Sequence, residues 1–225
     1  MGLALNEMKN GAITLLDILG WKGIWQRNTA PIETLEKLVY VATMQEKYAT
    51  EQFKKSDLQI EIKNISDTLA IVLYTDDCNT ALAIQSMICS KLIVESLKLG
   101  LPLRGAMCYG KLISNNNIMA GPAVDEVASW YENTEFIGCI FTPSALLSID
   151  HRTFMPHITV EYEVRTKNIG NFKTYCVNWP ILWEDGEAKL KEIFKDNSPL
   201  IPNIALKYLN TLNFYEYVIG EKVCL

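Results

Sequence analysis

Between Leu58 and Tyr74 the apolar residues fall at a spacing that only one local structure accommodates. Leu58, Ile60 and Ile62 alternate on one side of a polar stretch from Asn64 to Thr68, and Leu69 to Tyr74 form an apolar run on the other. Period-two spacing on both sides of a turn-forming segment predicts a β-hairpin with Asp67 at its bend. A hairpin makes its two strands antiparallel neighbours, so the sheet containing it cannot be the all-parallel sheet of a doubly wound fold. Helical periodicity flanks the hairpin. Ile32, Leu35, Leu38, Val39, Met44 and Tyr48 recur near 3.6 residues toward a charged end at Lys54-Lys55, and Thr80 to Leu99 is a second helical run closed by Gly100 and Pro102.

Ala12 to Leu16 is a compact apolar run ending at Asp17, followed by Gly20 and a segment from Trp21 to Trp25 with helical spacing. That reads as strand, glycine turn, helix. Leu103 to Ile113 reads as a strand containing Gly105 and Gly110. Asn115-Asn116-Asn117 makes a loop, and Gly121-Pro122 opens a helix running to about Asn133. Ile137 to Phe141, Thr159 to Val164 and Phe172 to Asn178 are strands, with a short helix from Pro143. The order predicts an α+β fold: a ferredoxin-like antiparallel sheet with helices on one face. Pro180 marks a change of character. Residues 1–180 are expected to form one domain, and residues 181–225 a C-terminal helical extension packed on it, with helices around Glu187 to Lys195 and Ile204 to Val218.

A chain of 225 residues can bury a full core. Its net charge of −5 lacks the basic footprint of a nucleic-acid binder. Its six cysteines, Cys78, Cys89, Cys108, Cys139, Cys176 and Cys224, form no CxxC pair and mostly lie in apolar segments, which points to a reducing, cytoplasmic setting. No membrane span is expected, because the apolar segments carry charges or strand periodicity.

Asp17 and Asp67 each end or bend an apolar β-like run, where an ionised carboxylate is costly without a cation or several donors beside it. One carboxylate from each of two neighbouring strands is a common way to hold magnesium against phosphates. The bland alternative is a helix cap at Asp17 and a turn aspartate at Asp67.

Four segments, in order, resemble the class III nucleotidyl cyclase catalytic domain over about residues 12 to 178. Asp17-Ile18-Leu19-Gly20-Trp21 resembles the family's first metal motif, with Trp21 in place of phenylalanine. Lys63-Asn64-Ile65-Ser66-Asp67 resembles its hairpin, with serine replacing glycine. Leu103-Arg104-Gly105-Ala106 through Gly110 resembles the strand before the catalytic helix, and Thr166 to Tyr175 the late strand pair. The resemblance implies two Mg2+ or Mn2+ ions per site on Asp17, the Ile18 carbonyl and Asp67. It also implies phosphate contacts from the backbone after Gly20, at Trp21 and Lys22, and a triphosphate-binding Lys167. The reaction implied is attack of a ribose 3′-hydroxyl on its own α-phosphate, with pyrophosphate leaving.

The chain departs from the family at the catalytic helix, where Asp125 stands at the asparagine position and Trp130 at the arginine position. The two base-reading positions carry Lys63 and Ile118, and isoleucine removes the polar partner used by purine cyclases. The short strings are similar to those of bacterial antiphage (Pycsar-type) pyrimidine cyclases. That subfamily implies UTP or CTP as substrate, a cyclic UMP or cyclic CMP signal read by a separate effector, and a homodimer with sites at the interface. Other readings stand beside it: an ATP cyclase, a catalytically degenerate nucleotide-binding or scaffold homologue, and an unrelated ferredoxin-like interaction domain in which Trp21, Trp25 and Trp130 are packing residues.

Overall fold

A computed structural model describes residues 8–27, 29–53, 58–115, 118–151, 154, 157–197 and 201–223, with Lys22, Arg27 and 221–223 described for their backbone only. Lys54-Lys55, Asn116-Asn117 and Cys224 lie outside the described residues. The strands are β1 (Lys9–Ile18), β2 (Gln59–Ile65), β3 (Thr68–Tyr74), β4 (Leu103–Asn115), β5 (Ile118–Ala120), β6 (Gly138–Phe141), β7 (Thr159–Thr166) and β8 (Gly170–Val177). The helices are α1 (Ile24–Arg27), α2 (Pro31–Gln52), α3 (Cys78–Lys98), α4 (Pro122–Trp130), α5 (Pro143–Ser148), α6 (Gly186–Asp196) and α7 (Pro202–Val223), with 3-10 turns at Trp21–Gly23 and Trp179–Leu182.

The sheet order is β2-β3-β1-β4-β6-β8-β7, with β5 paired to β4. The hairpin predicted around Asp67 is β2–β3, with Ser66 and Asp67 as its two-residue bend. Ser66 takes the left-handed conformation at φ 60°, a position where glycine carries less strain. All pairings are antiparallel except β4 with β6, which run parallel. Chain passage through α4 between those two strands brings the second back in the same direction. β4 also continues past the predicted strand end at Ile113 and hairpins into β5.

Helices cover both faces of the sheet, not one as the element order predicted. On β1 the Thr14 hydroxyl donates to Gln85 of α3, so even-numbered β1 side chains meet that helix. Ile13 pairs with Cys108 on the opposite face, and the Cys108 thiol meets Glu126 of α4. Asp17 has the parity of Ile13 and Arg104 that of Cys108, so both share α4's face. The two central strands approach closely at Gly105, where a Cβ would sit 2.0 Å from the Leu15 carbonyl oxygen. Any side chain there would push β4 off β1.

α3 is, among the described residues, the one helix long and apolar enough to cross a membrane, and most of it is buried against the sheet. Asp77 caps it through the Thr80 amide. Beyond β8, α7 packs into the core. Phe214 is fully buried, with ring contacts to Phe136 and Tyr162 at centroid distances of 5.2 and 5.1 Å.

Candidate active site

Asp17 is the penultimate residue of β1, opposite Thr68 of β3 and Arg104 of β4. The Ile18 amide donates to the Asp67 carbonyl at 3.0 Å, stitching the β2–β3 bend to the end of β1. Asp17 and Asp67 are thereby brought together by ordinary strand pairing. Asp17 caps no helix: the 3-10 turn that follows has Gly20 at its N-cap, with no side-chain cap.

Asp17 is only 9% exposed. Arg104 grips its Oδ2 through Nη2 at 3.1 Å and Nε at 3.3 Å, and donates from Nη1 to the Glu132 carbonyl at 2.9 Å. Burial nonetheless pushes the Asp17 carboxyl above its ordinary pKa. Arg104 opposes that shift, while the charges of Asp67 and Glu132 add to it. Three carboxylates thus share a region holding one closely paired guanidinium. Tyr131 registers the same field, its phenol raised to about 12 by burial and by Glu132, Asp17 and Asp67.

Lys167 follows β7 in the turn to β8. Its amide donates to the Asn133 carbonyl at 2.9 Å, and Asn168 reaches the Asn133 side chain at 3.0 Å, so the turn is pinned to the segment after α4. Burial, then the charges of Arg104 and Lys207, hold the Lys167 ammonium below its ordinary pKa. Gly20, Arg104 and Lys167 line one cavity of about 180 Å³. Gly20 turns the chain with φ 77°, which places Trp21 and Lys22 at the start of the 3-10 turn; the Lys22 side chain lies outside the described residues. Trp21 packs edge-on to Trp25 at 6.2 Å.

Lys63 donates to the Ser114 hydroxyl at 2.6 Å and pairs with Glu61 at 3.3 Å. Ser114 belongs to the β4–β5 hairpin, on which Ile118 pairs with Asn115 and is 57% exposed. The two base-reading candidates therefore meet the same hairpin. Asp125 is exposed in the first turn of α4, where Ala123 lies against Gly110, while the far end of that helix leads to Glu132, whose carbonyl accepts from Arg104. Trp130, half-buried, packs on Phe172 at 4.9 Å. Glu126 accepts from the Ser144 amide and hydroxyl, tying α4 to α5. Burial opposes its ionisation, but those hydrogen bonds hold its pKa below the ordinary range.

Asp17, Asp67 and the Ile18 carbonyl offer only hard oxygen donors, the set that suits magnesium or manganese. No group of three or more His, Cys, Asp or Glu assembles into a metal site among the described residues. Two carboxylates and a carbonyl leave the remaining coordination positions of such an ion to other oxygen donors. Arg104, Glu132 and Lys207 were not singled out from sequence. A charged residue starting an apolar strand was a usable signal for Arg104; Lys207, in a helix 190 residues from Asp17, carried none.

No protein-family model matches the chain, and no curated protein matches it. Solved structures do. The catalytic core of a rhodopsin-guanylyl cyclase with converted specificity, in complex with ATPαS, aligns at TM-score 0.51 and 14% identity, covering 76% of this chain and 96% of that one. An adenylate cyclase from Trypanosoma brucei in its monomeric state aligns at 0.51 and 10%, covering 76% and 88%. The fold is that of class III nucleotidyl cyclase catalytic domains.

Proposed function

We propose that this chain is a nucleotidyl cyclase that converts a nucleoside triphosphate to its 3′,5′-cyclic monophosphate and pyrophosphate. The observation that carries this reading is the juxtaposition of Asp17 and Asp67 at the end of β1, with Arg104 joining Asp17 to a cavity lined by Gly20 and Lys167, on a cyclase fold. Asp17, Asp67 and the Ile18 carbonyl would hold divalent ions. When bound, such ions polarise phosphate oxygens and make the ribose hydroxyl more acidic. The 3′-oxygen bonds to the α-phosphorus as its proton is lost, and the bond to the bridging oxygen breaks, releasing pyrophosphate. Arg104 holds Asp17 in one orientation, a pre-organisation that keeps the carboxylate from collapsing elsewhere. Lys167 would offer its ammonium to the charge gathering on the leaving group, and the amides of Trp21 and Lys22, following the Gly20 turn, would donate to phosphate oxygens.

The finer reading is a pyrimidine substrate, UTP or CTP, within an antiviral signalling system whose cyclic nucleotide acts on a separate effector. Ile118 at a base-reading position supports it. A homodimer is part of the same reading, in which the exposed Asp125 would serve the aspartates of a second copy. Residues 1–180 form the cyclase unit in this proposal, with 181–225 built onto it. Incubation with each of the four NTPs and Mn2+, followed by product analysis, tests it: a cyclic pyrimidine nucleotide is expected, cyclic AMP alone would reassign the base, and no cyclic product would remove the activity. The alternative, a binding protein without turnover, draws on Trp130, which is packed on Phe172 and supplies no arginine-like cation. Nucleotide binding without product would favour it.

A further inference from the structure

α7 brings a buried cation to the same cavity. Lys207 is only 9% exposed, pairs with the buried Glu135 at 3.4 Å and donates to the Asn203 carbonyl. An ammonium has three donors, and these partners take two of them among the described residues. The helix is fixed there by two further bonds: Asn210 donates to the Glu135 carbonyl at 2.8 Å, and the Ile137 amide donates to Thr211 at 2.8 Å. Lys207 and Lys167 both line the 180 Å³ cavity that contains Gly20 and Arg104, and both line a neighbouring one of about 400 Å³ with Arg165. Lys167 has no salt bridge among the described residues, and the charges of Arg104 and Lys207 repel its own. Lys207 has Glu135 and Arg104 has Asp17, but Lys167 has no carboxylate in salt-bridge reach among the described residues, and a partly desolvated cation beside two others is costly unless an anion joins it.

We infer that the C-terminal helix completes a polyphosphate pocket, in which Lys207 acts beside Lys167 on the terminal phosphates of a nucleoside triphosphate or on free pyrophosphate. Naming polyphosphate as the ligand rests on the cyclase reading, but the pocket itself is defined by Lys207, Lys167 and Arg104. An ammonium is a compact point charge well matched to phosphate oxygens. The 400 Å³ space beyond Lys207 gives the outer phosphates room that the Gly20 turn alone does not.

Calorimetric titration of the full chain with inorganic tripolyphosphate, and separately with pyrophosphate, tests this without any turnover. The parent is expected to bind both. Lys207→Gln should weaken binding about tenfold, the effect of one charge-assisted contact, while Lys207→Arg retains most of it. Because Lys207→Gln strands Glu135, the double variant Lys207→Gln/Glu135→Gln keeps the pair neutral and should show the same loss with a normal unfolding midpoint. Parent-like tripolyphosphate affinity in the double variant overturns the inference. So does parent-like KM for the preferred NTP in that variant, an outcome that leaves the cyclase reading intact. Lys207-dependent tripolyphosphate binding with no cyclic product from any NTP has the opposite meaning: the pocket stands and the cyclase reading falls.

Discussion

β1 carries two buried polar positions three residues apart, Thr14 and Asp17, and meets their cost in opposite ways. Thr14 belongs to a closed neutral network: its hydroxyl donates to Gln85, whose amide donates to the Ala12 and Ile71 carbonyls at 2.9 and 3.0 Å. Asp17, on the other face, is charged, held by one guanidinium and crowded by two further carboxylates. A buried polar group whose partners are all met fastens α3 to the sheet. One left with excess charge is poised to take something more, and this separates a structural buried polar group from a site.

The sharpest break of that comparison is Asp67→Ala. It should lower cyclase turnover by about 10³, because it removes half of the carboxylate pair, while leaving the urea midpoint near the parent's. Equal loss of both would place Asp67 with the structural group. Arg104→Met should cost about 3 kcal/mol at pH 7, measured by urea unfolding, since it strands a buried carboxylate. That loss should shrink on acidification. Asp17's folded pKa is raised above its unfolded value, so the native state binds the proton more tightly, and Asp17's unfavourable contribution fades as pH falls through the folded value toward the ordinary one. An unfolding free energy for Arg104→Met that stays equally depressed from pH 7 to pH 4 would show that the charge is not the cause.

Gln85→Ala should cost about 2 to 3 kcal/mol at every pH, through the cavity and the unmet groups at Thr14, Ala12 and Ile71, with turnover per folded molecule unchanged. A strongly pH-dependent loss would bring the two regions closer together than their chemistry implies. Thr14→Val, which keeps the shape and drops one donor, should cost only about 1 kcal/mol.

Period-two and 3.6 patterns were enough to read β2–β3, α2, α3 and the late strands, because each buries one face and shows it as a repeat. The same patterns could not show that α4 crosses to the other face or that β6 runs parallel to β4. Those facts depend on Gly105 letting β4 lie close against β1, and on Glu126 reaching Ser144. Asp17 and Asp67 were legible as candidates since each broke an apolar run. Their meeting depended on register, which the hairpin at Ser66-Asp67 sets. Sequence does not reveal that α5 begins beside Glu126, so its role in tying α4 to α5 was not legible. Lys207 sat on an ordinary amphipathic repeat, and only the Glu135 pairing separates it from a surface lysine.

The pinning of α7 to Glu135 and Ile137 bears on when the molecule becomes competent during its own synthesis. Asp17, Asp67, Arg104 and Lys167 emerge from a ribosome in that order, ahead of the helix that carries Lys207. Lys207 arrives last, and the contacts that seat it span more than seventy positions, which places this step among the slow, non-local events of folding. A chain still under translation therefore presents Glu135 before the cation that pairs with it, and that ion pair is completed only once α7 has docked.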